Sequence, residues 1–111
     1  MKKIVIIGGG AAGMMSAISA AQKNRENAEI IVIEKNERVL RKVMITGKGR
    51  CNLTNNCDLD TLIASIPQNP RFLYSAFSRF SPSDTISFFE GLGVALKTER
   101  GNRVFPVSDR S

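Results

Sequence analysis

Residues 4–13 read IVIIGGGAAG, and this short stretch decides the fold. Residues 4–7 are a continuous apolar run rich in β-branched side chains, which is typical of a strand buried on both faces. The run passes directly into G-x-G-x-x-G, formed by Gly8, Gly10 and Gly13. In such a turn the first glycine permits the sharp reversal and the second lets backbone approach a pyrophosphate. The third lets the following helix lie close to the sheet.

The next elements complete a β-α-β unit. Residues 11–23 are rich in Ala and Met and predict a helix, whose first N–H groups (Ala11 and Ala12) would face the phosphates. Residues 30–33, IIVI, predict a second buried strand that ends at Glu34. This acid lies 21 positions after Gly13, where it can accept hydrogen bonds from an adenosine ribose. The sequence therefore predicts an α/β, Rossmann-like FAD/NAD(P)-binding domain.

These residues alone leave NAD, NADP and FAD open as the dinucleotide. The charge of Glu34 disfavours a 2′-phosphate, whereas the adjacent Lys35 favours one. The cofactor therefore has to be inferred from another part of the chain.

A second stretch, residues 46–55, reads TGKGRCNLTN, and we call residues 46–52 the basic loop. The protein carries a net charge of +6, and residues 35–50 hold six cations against a single acid, Glu37. Such a patch indicates an anionic partner, either phosphate or nucleic acid. Gly47 and Gly49 permit positive φ, so backbone N–H groups could face a ligand. A basic nucleic-acid-binding domain is therefore an alternative function.

The composition excludes several kinds of site. The chain has no histidine and only two cysteines, so it cannot supply a zinc site of paired Cys and His ligands or a His-based catalytic triad. Five residues separate Cys51 from Cys57, which does not match the pair of a disulfide reductase and favours a structural role. Two thiols on a polar loop indicate a reducing, cytoplasmic setting. The glycine-rich start of the chain does not read as an export signal or a membrane span.

Three segments carry a family resemblance: residues 4–17, residues 32–56 and residues 101–111. Together they resemble the HI0933-like flavoproteins, bacterial FAD-dependent oxidoreductases with a two-dinucleotide-binding fold. The resemblance implies FAD as cofactor, hydride or electron transfer through the flavin, and NAD(P)H as a candidate electron donor. An NAD(P)-binding dehydrogenase module remains the alternative within this fold class.

The resemblance also assigns residues to the cofactor. Arg41 and Lys42 correspond to the family's basic pair, and residues 47–52 of the basic loop fall on its flavin-proximal loop. The family usually has a small residue, most often glycine, where Lys48 stands. The full set of predicted cofactor-binding residues is Gly8, Gly10, Ala11, Ala12, Gly13, Glu34, Lys35, Arg41, Lys42, Gly47, Lys48, Gly49, Arg50, Cys51 and Asn52. The resemblance identifies no catalytic residue and no metal ligand.

The family continues beyond the segments seen here, so residues 1–111 are expected to be the amino-terminal, incomplete portion of an FAD-binding domain that lacks its substrate domain. Alone, the chain is expected to be inactive and to self-associate through an open sheet. A small-molecule substrate is expected, with neither nucleic acid nor membrane as partner.

The remaining residues are expected to build the scaffold. Ser81 followed by proline and by Asp84 predicts a capped helix start. Residues 94–96 and 103–105 predict a hairpin across residues 99–102. Three phenylalanines, at positions 72, 77 and 80, are expected to lie in the core.

Overall fold

The computed structural model describes all residues from 1 to 111. They form two compact units, residues 1–45 and residues 46–111. Each unit has its own sheet, and the two predicted cofactor-binding stretches fall in different units.

The first unit is the predicted β-α-β unit with a short helix after it. Its elements are β1 (Lys2–Ile7), α1 (Ala11–Asn24), β2 (Ala28–Ile33) and α2 (Arg41–Ile45). β1 and β2 pair in parallel, with Lys2 opposite Ala28 and Ile7 opposite Ile33. The β-α-β prediction is therefore confirmed, whereas α2 was not foreseen.

Helix α1 packs on both strands, and small residues make this possible. A Cβ atom on Gly13 would lie 1.9 Å from the carbonyl oxygen of Gly8, so no other residue fits at this position without displacing the turn. One turn further along, Ala17 is the one buried residue of the helix. The third glycine of the motif thus has the packing role that its spacing predicts.

The prediction that both strands are buried on both faces is wrong for this structure. Val5, Ile7 and Ile33 are 50%, 78% and 51% exposed, respectively. Side chains alternate between the two faces of a strand, and a single helix can cover only one face of a two-stranded sheet. The apolar character of the second face is what led the sequence pattern to predict full burial.

The second unit is built around an antiparallel sheet. Its elements are β3 (Thr54–Asn55), α3 (Leu59–Ala64), α4 (Tyr74–Arg79), α5 (Pro82–Gly91), β4 (Leu96–Glu99) and β5 (Arg103–Pro106). The strand order is β3-β5-β4, and the predicted hairpin is present, with its first strand starting at Leu96 rather than at residue 94. Val104 and Phe105 on the central strand are 1% and 2% exposed and form the core of this unit.

The predictions made from the sequence for the helical part of the second unit are only partly confirmed. Helix α5 has the predicted start, because the Ser81 hydroxyl accepts from the backbone N–H of Asp84 while the Asp84 carboxylate accepts from the backbone N–H of Ser81. The predicted burial of the phenylalanines fails at Phe72, which is 84% exposed on a 3₁₀ turn (Pro70–Leu73), and Phe80 is 39% exposed. A turn of this kind does not keep the helical spacing on which that prediction relied.

Candidate functional site

The glycine turn, residues 8–13, has the shape that phosphate binding needs. Gly8 has φ +100°, and its N–H donates to the carbonyl oxygen of Ile33 at 2.7 Å, which fixes the end of β1 against β2. A Cβ atom built on Gly10 would meet nothing within 4 Å. Gly10 is also the N-cap of α1, and no side chain caps this helix. The first N–H groups of a helix have no partner inside the helix, so the turn presents donors beside open space.

Glu34 holds the turn through its carboxylate. Its Oε1 accepts from the backbone N–H of Gly9 at 2.9 Å. Its Oε2 accepts from the backbone N–H and the side-chain amide of Asn36, at 2.8 Å and 2.9 Å. The donors from Asn36 and then Gly9 hold the pKa of this carboxyl below its usual value, because they stabilise the charged form. One lone-pair direction of the carboxylate remains for a ribose hydroxyl.

Gly9 makes further contacts with the segment that follows β2. Its carbonyl oxygen accepts from the backbone N–H of Leu40 at 2.7 Å, and Leu40 reaches this position with φ +60°. A Cβ atom on Gly9 would lie 2.8 Å from Cγ1 of Val39. The segment after β2 is therefore fastened to the glycine turn by backbone contacts that the sequence motif does not reveal.

This fastening creates a groove of about 550 Å³ beside the turn. We call it the cationic groove. Its lining includes Gly10 and Glu34 together with four cations, which are Lys35, Arg38, Arg41 and Lys42. Four of the predicted cofactor residues outside the turn, Glu34, Lys35, Arg41 and Lys42, are thus brought together, and Arg38 joins them.

The residues that line the groove have the chemical groups that the ADP portion of a dinucleotide needs. Gly10 leaves room for a ligand to approach the backbone, and the cations can neutralise a pyrophosphate. Glu34 stands at the end of the second strand, where a ribose acceptor is needed.

The basic loop lies in the second unit and has a different construction. Three consecutive residues, Gly47, Lys48 and Gly49, have φ of +58°, +57° and +86°, and Cys51 has φ +63°. A Cβ atom on Gly47 would lie 2.8 Å from the backbone nitrogen of Asn52 and 3.0 Å from Cε1 of Phe105, whereas one on Gly49 would meet nothing within 4 Å. Only the first of these glycines is therefore required by packing inside the unit.

Arg50 is engaged by two carboxylates. Its guanidinium donates to Glu99, and its Nε donates to Asp109 at 2.9 Å. Lys97 joins the same acids, 3.2 Å from Glu99 and 2.8 Å from Asp109. The guanidinium also lies 4.0 Å from the ring centre of Phe105, within range of a cation–π interaction. We call Arg50, Lys97, Glu99 and Asp109 the Arg50 cluster.

The four groups of the cluster shift one another's pKa values in the direction that favours their charged forms. Arg50 lowers the pKa of Glu99, and Lys97 and then Arg50 lower the pKa of Asp109. In return Glu99 raises the pKa of Arg50, and Asp109 raises that of Lys97. All four groups are therefore held charged at neutral pH.

The other loop residues divide between scaffold and surface. The Asn52 amide donates to the carbonyl oxygens of Thr54 and Val104 at 3.0 Å and 3.2 Å, so it joins the loop to the sheet. Cys51 is a free, half-buried thiol with a left-handed backbone. Lys48 is exposed and has no ion pair. The assignment of these residues to a cofactor stays a prediction.

Sequence reasoning missed several residues that shape the two regions. Gly9, Asn36 and Leu40 act mainly through backbone atoms, which leave no signal in side-chain chemistry. Glu99 and Asp109 lie 49 and 59 positions from Arg50, so no local motif connects them to it.

No group of three His, Cys, Asp or Glu side chains is placed to hold a metal ion. None of the helices combines the length and the apolar character that a membrane crossing requires.

Comparison with known proteins defines the class. Residues 2–111 match the family described as the HI0933-like protein Rossmann domain, so the chain belongs to the HI0933-like family. A 3-dehydro-bile acid delta(4,6)-reductase from Clostridium scindens is 37% identical over 113 residues, covering 100% of this chain and 26% of that protein. Ribosomal RNA dihydrouridine synthases from Escherichia coli and Haemophilus influenzae are 37% and 31% identical, each covering 91% of this chain and 24% of the relative.

The chain thus spans about a quarter of the length of these curated relatives. The family resemblance and the Rossmann fold class predicted from the sequence are confirmed. The predicted oxidoreductase class agrees with the reductase among the relatives.

Proposed function

We propose that the cationic groove binds the ADP portion of FAD and that the whole protein is an FAD-dependent oxidoreductase. The observation that carries this proposal is the glycine turn, where Gly10 faces open space while Glu34 fixes the backbone of Gly9. Family membership supports the dinucleotide, and the resemblance of the basic loop supports flavin rather than NAD alone. The role of the basic loop near the flavin rests on that resemblance.

The residues of the groove would act by binding and orienting. Gly10 would admit the pyrophosphate to the backbone, and Arg41 and Lys42 would neutralise its charge. Glu34 would accept a ribose hydroxyl while it holds the turn. When bound, FAD would supply the hydride or electron transfer that no side chain of this composition can provide.

The names of the relatives suggest a reaction class. One relative is named a 3-dehydro-bile acid delta(4,6)-reductase and another a dihydrouridine synthase. Both names describe the addition of hydrogen to a carbon–carbon double bond. We therefore propose that the whole protein reduces such a bond next to a carbonyl group. One carbon would receive a hydride and its neighbour a proton, with NAD(P)H as the source of the electron pair. A cytoplasmic location belongs to this proposal, since Cys51 and Cys57 are free thiols.

The test starts from the full-length protein. Its cofactor is released by denaturation and identified by mass spectrometry, and FAD is expected. The loaded protein is then mixed anaerobically with NADH or NADPH and a steroid that carries a conjugated ketone. Consumption of the nicotinamide together with a product two hydrogen atoms heavier supports the reaction class. A protein that binds only NAD(P), or no nucleotide, would contradict the proposal.

A uridine in RNA is the second candidate substrate, favoured by two relatives whose names specify ribosomal RNA. Unmodified ribosomal RNA replaces the steroid in the same assay. Dihydrouridine in the RNA, with binding that weakens steeply as salt is raised, would select this candidate. In this proposal Arg38, Arg41 and Lys42 lie beside the pyrophosphate of the cofactor, so the choice between the two substrates rests on the assay.

A further inference from the structure

Asn36 lines the cationic groove and contacts Glu34 through two separate groups. Its backbone N–H donates to Oε2 of Glu34 at 2.8 Å, and its side-chain amide donates to the same oxygen at 2.9 Å. The other oxygen, Oε1, accepts from the backbone N–H of Gly9 at 2.9 Å. Three donors of the protein therefore meet one carboxylate.

The number of donors limits what else Glu34 can accept. An ionised carboxylate has about four lone-pair directions, two on each oxygen. Oε2 uses both of its directions on Asn36, whereas Oε1 has one direction left beyond its bond to Gly9. The backbone donors of Asn36 and then Gly9 lower the pKa of Glu34, so the carboxyl is ionised at neutral pH and only accepts. A ligand in the groove thus meets a single acceptor position, on Oε1.

The contact from Asn36 differs from the contact with Gly9 because part of it depends on the side chain. A backbone N–H is supplied by almost any residue, whereas the second donor to Oε2 requires a side chain such as an amide. Asn36 is exposed, while Glu34 is half-buried and Gly9 is buried. A substitution at residue 36 should therefore change the carboxylate without unfolding the turn.

The glycine turn is also fixed without the help of Asn36. The carbonyl oxygen of Gly9 accepts from the backbone N–H of Leu40, and the N–H of Gly8 donates to Ile33, both at 2.7 Å. The carboxylate of Glu34 is thus held between a fixed turn and the donors of Asn36.

We propose that Asn36 is a positioning residue that sets the ribose specificity of the cationic groove, because by occupying Oε2 of Glu34 it leaves the carboxylate to accept one ribose hydroxyl rather than two. The inference rests on the proposed function, since the ADP portion of FAD is the ligand considered. Adenosine carries neighbouring hydroxyls at its 2′ and 3′ positions, and a carboxylate with two free directions could accept from both. With Asn36 in place, Glu34 recognises only one of them.

Deoxynucleotides test this count of acceptors. The full-length protein, freed of FAD, is titrated in a calorimeter with ADP, 2′-deoxy-ADP and 3′-deoxy-ADP. Loss of the hydroxyl that Glu34 accepts should weaken binding about thirtyfold, as expected for a charge-assisted hydrogen bond, and loss of the other should weaken it less than about threefold. Equal losses for the two deoxynucleotides, or no loss for either, would overturn the proposal.

Asn36→Ala tests the side chain, because it keeps the backbone donor and frees one direction on Oε2. The affinities for the two deoxynucleotides, which should differ about tenfold in the unchanged protein, should then differ by less than about threefold, since Glu34 can accept both hydroxyls. If Asn36 only supported the scaffold, the variant would bind all three nucleotides more weakly by the same factor. An unchanged ratio between the deoxynucleotides would therefore contradict the proposal.

Asn27→Ala is the matched control for this variant. Asn27 is also an exposed asparagine of the first unit, on the 3₁₀ turn Arg25–Asn27, and it lies outside the groove. Its replacement should leave all three affinities unchanged. Thermal unfolding of both variants should show that each is folded.

Asn36→Asp separates the donor from the shape of the side chain. It keeps the size of the residue but replaces the amide with a second carboxylate, which repels Glu34 at pH 8. The ratio between the two deoxynucleotides should shrink as it does in Asn36→Ala. A ratio equal to that of the unchanged protein would show that the amide donor does not set the specificity.

A double variant tests whether Asn36 acts only through Glu34. In Glu34→Ala the two deoxynucleotides should bind equally, and the addition of Asn36→Ala should change none of the three affinities. A further loss in the double variant would mean that Asn36 acts on the ligand or the turn directly, which the proposal excludes.

The outcomes also separate this inference from the proposed function. If the full-length protein holds neither FAD nor ADP, the proposed function fails and the inference falls with it. If it holds both and Asn36→Ala leaves the ratio between the deoxynucleotides unchanged, only the inference fails.

Discussion

The glycine turn and the basic loop are both glycine-rich and both predicted to contact the cofactor, yet they are stabilised in different ways. The turn is held by contacts close in sequence or across one β-α-β unit, with Gly13 against Gly8 and Glu34 on Gly9. The basic loop is held by Arg50, which reaches acids 49 and 59 positions away. The comparison shows that a turn can be held by contacts within one β-α-β unit and the segment that follows it, while a loop of similar composition depends on distant partners.

The largest expected effect tests the turn. Gly13→Ala places a Cβ atom 1.9 Å from the carbonyl oxygen of Gly8, so helix α1 has to move away from the sheet. The expected cost is about 3 kcal/mol of unfolding free energy, at the upper end of overpacking effects. Chemical denaturation of the full-length protein measures it.

Gly10→Ala is the matched control, because its Cβ atom meets nothing within 4 Å. It should leave the unfolding free energy within about 0.5 kcal/mol, the usual range at an exposed site, and weaken FAD binding by obstructing the pyrophosphate. Equal stability losses in the two variants would contradict the packing role given to Gly13.

The corresponding pair in the basic loop should differ less. Gly47→Ala combines a left-handed backbone with a contact of 2.8 Å to the nitrogen of Asn52, and should cost about 2–3 kcal/mol. Gly49→Ala shares the positive φ but has open space, and should cost about 1 kcal/mol. Thermal unfolding of both variants checks the order. A larger cost at Gly49 would mean that its surroundings are crowded after all.

Glu34 offers a test of intermediate size. Glu34→Ala should weaken FAD by about 1.5–3 kcal/mol, because a charge-assisted acceptor for the ribose is lost and the N–H of Gly9 loses its partner. Glu34→Gln keeps an oxygen for Gly9 and should lose less. Isothermal titration with FAD gives both values. An unchanged dissociation constant in Glu34→Ala would remove this residue from the binding site.

The same contrast explains how much could be predicted from the sequence. The β-α-β unit was predictable because strand, glycines, helix and acid follow one another within 34 residues. The residue type at each of these positions also has a known physical role in dinucleotide binding. The engagement of Arg50 was not, since it depends on the hairpin bringing Glu99 to the loop. Likewise, the exposure of Phe72 follows from a 3₁₀ turn that the apolar spacing did not indicate.

The smallest expected effect comes from pH and concerns only the Arg50 cluster. The pKa values of Glu99 and Asp109 lie below their ordinary 4.5 and 3.8 because both acids pair with cations. Their contribution to stability is therefore complete above the ordinary values and is lost as the pH falls through the lowered ones.

Thermal stability should decline more steeply below about pH 4 than in a variant that combines Glu99→Gln with Asp109→Asn. The difference between the two profiles isolates the cluster, because all other acids, Glu34 included, are unchanged between the two proteins. Since all four members are partly exposed to solvent, the difference should be modest and should shrink in high salt. Parallel profiles at low salt would mean that the cluster does not stabilise the loop, and the basic loop would then be held by its backbone hydrogen bonds and by the amide of Asn52.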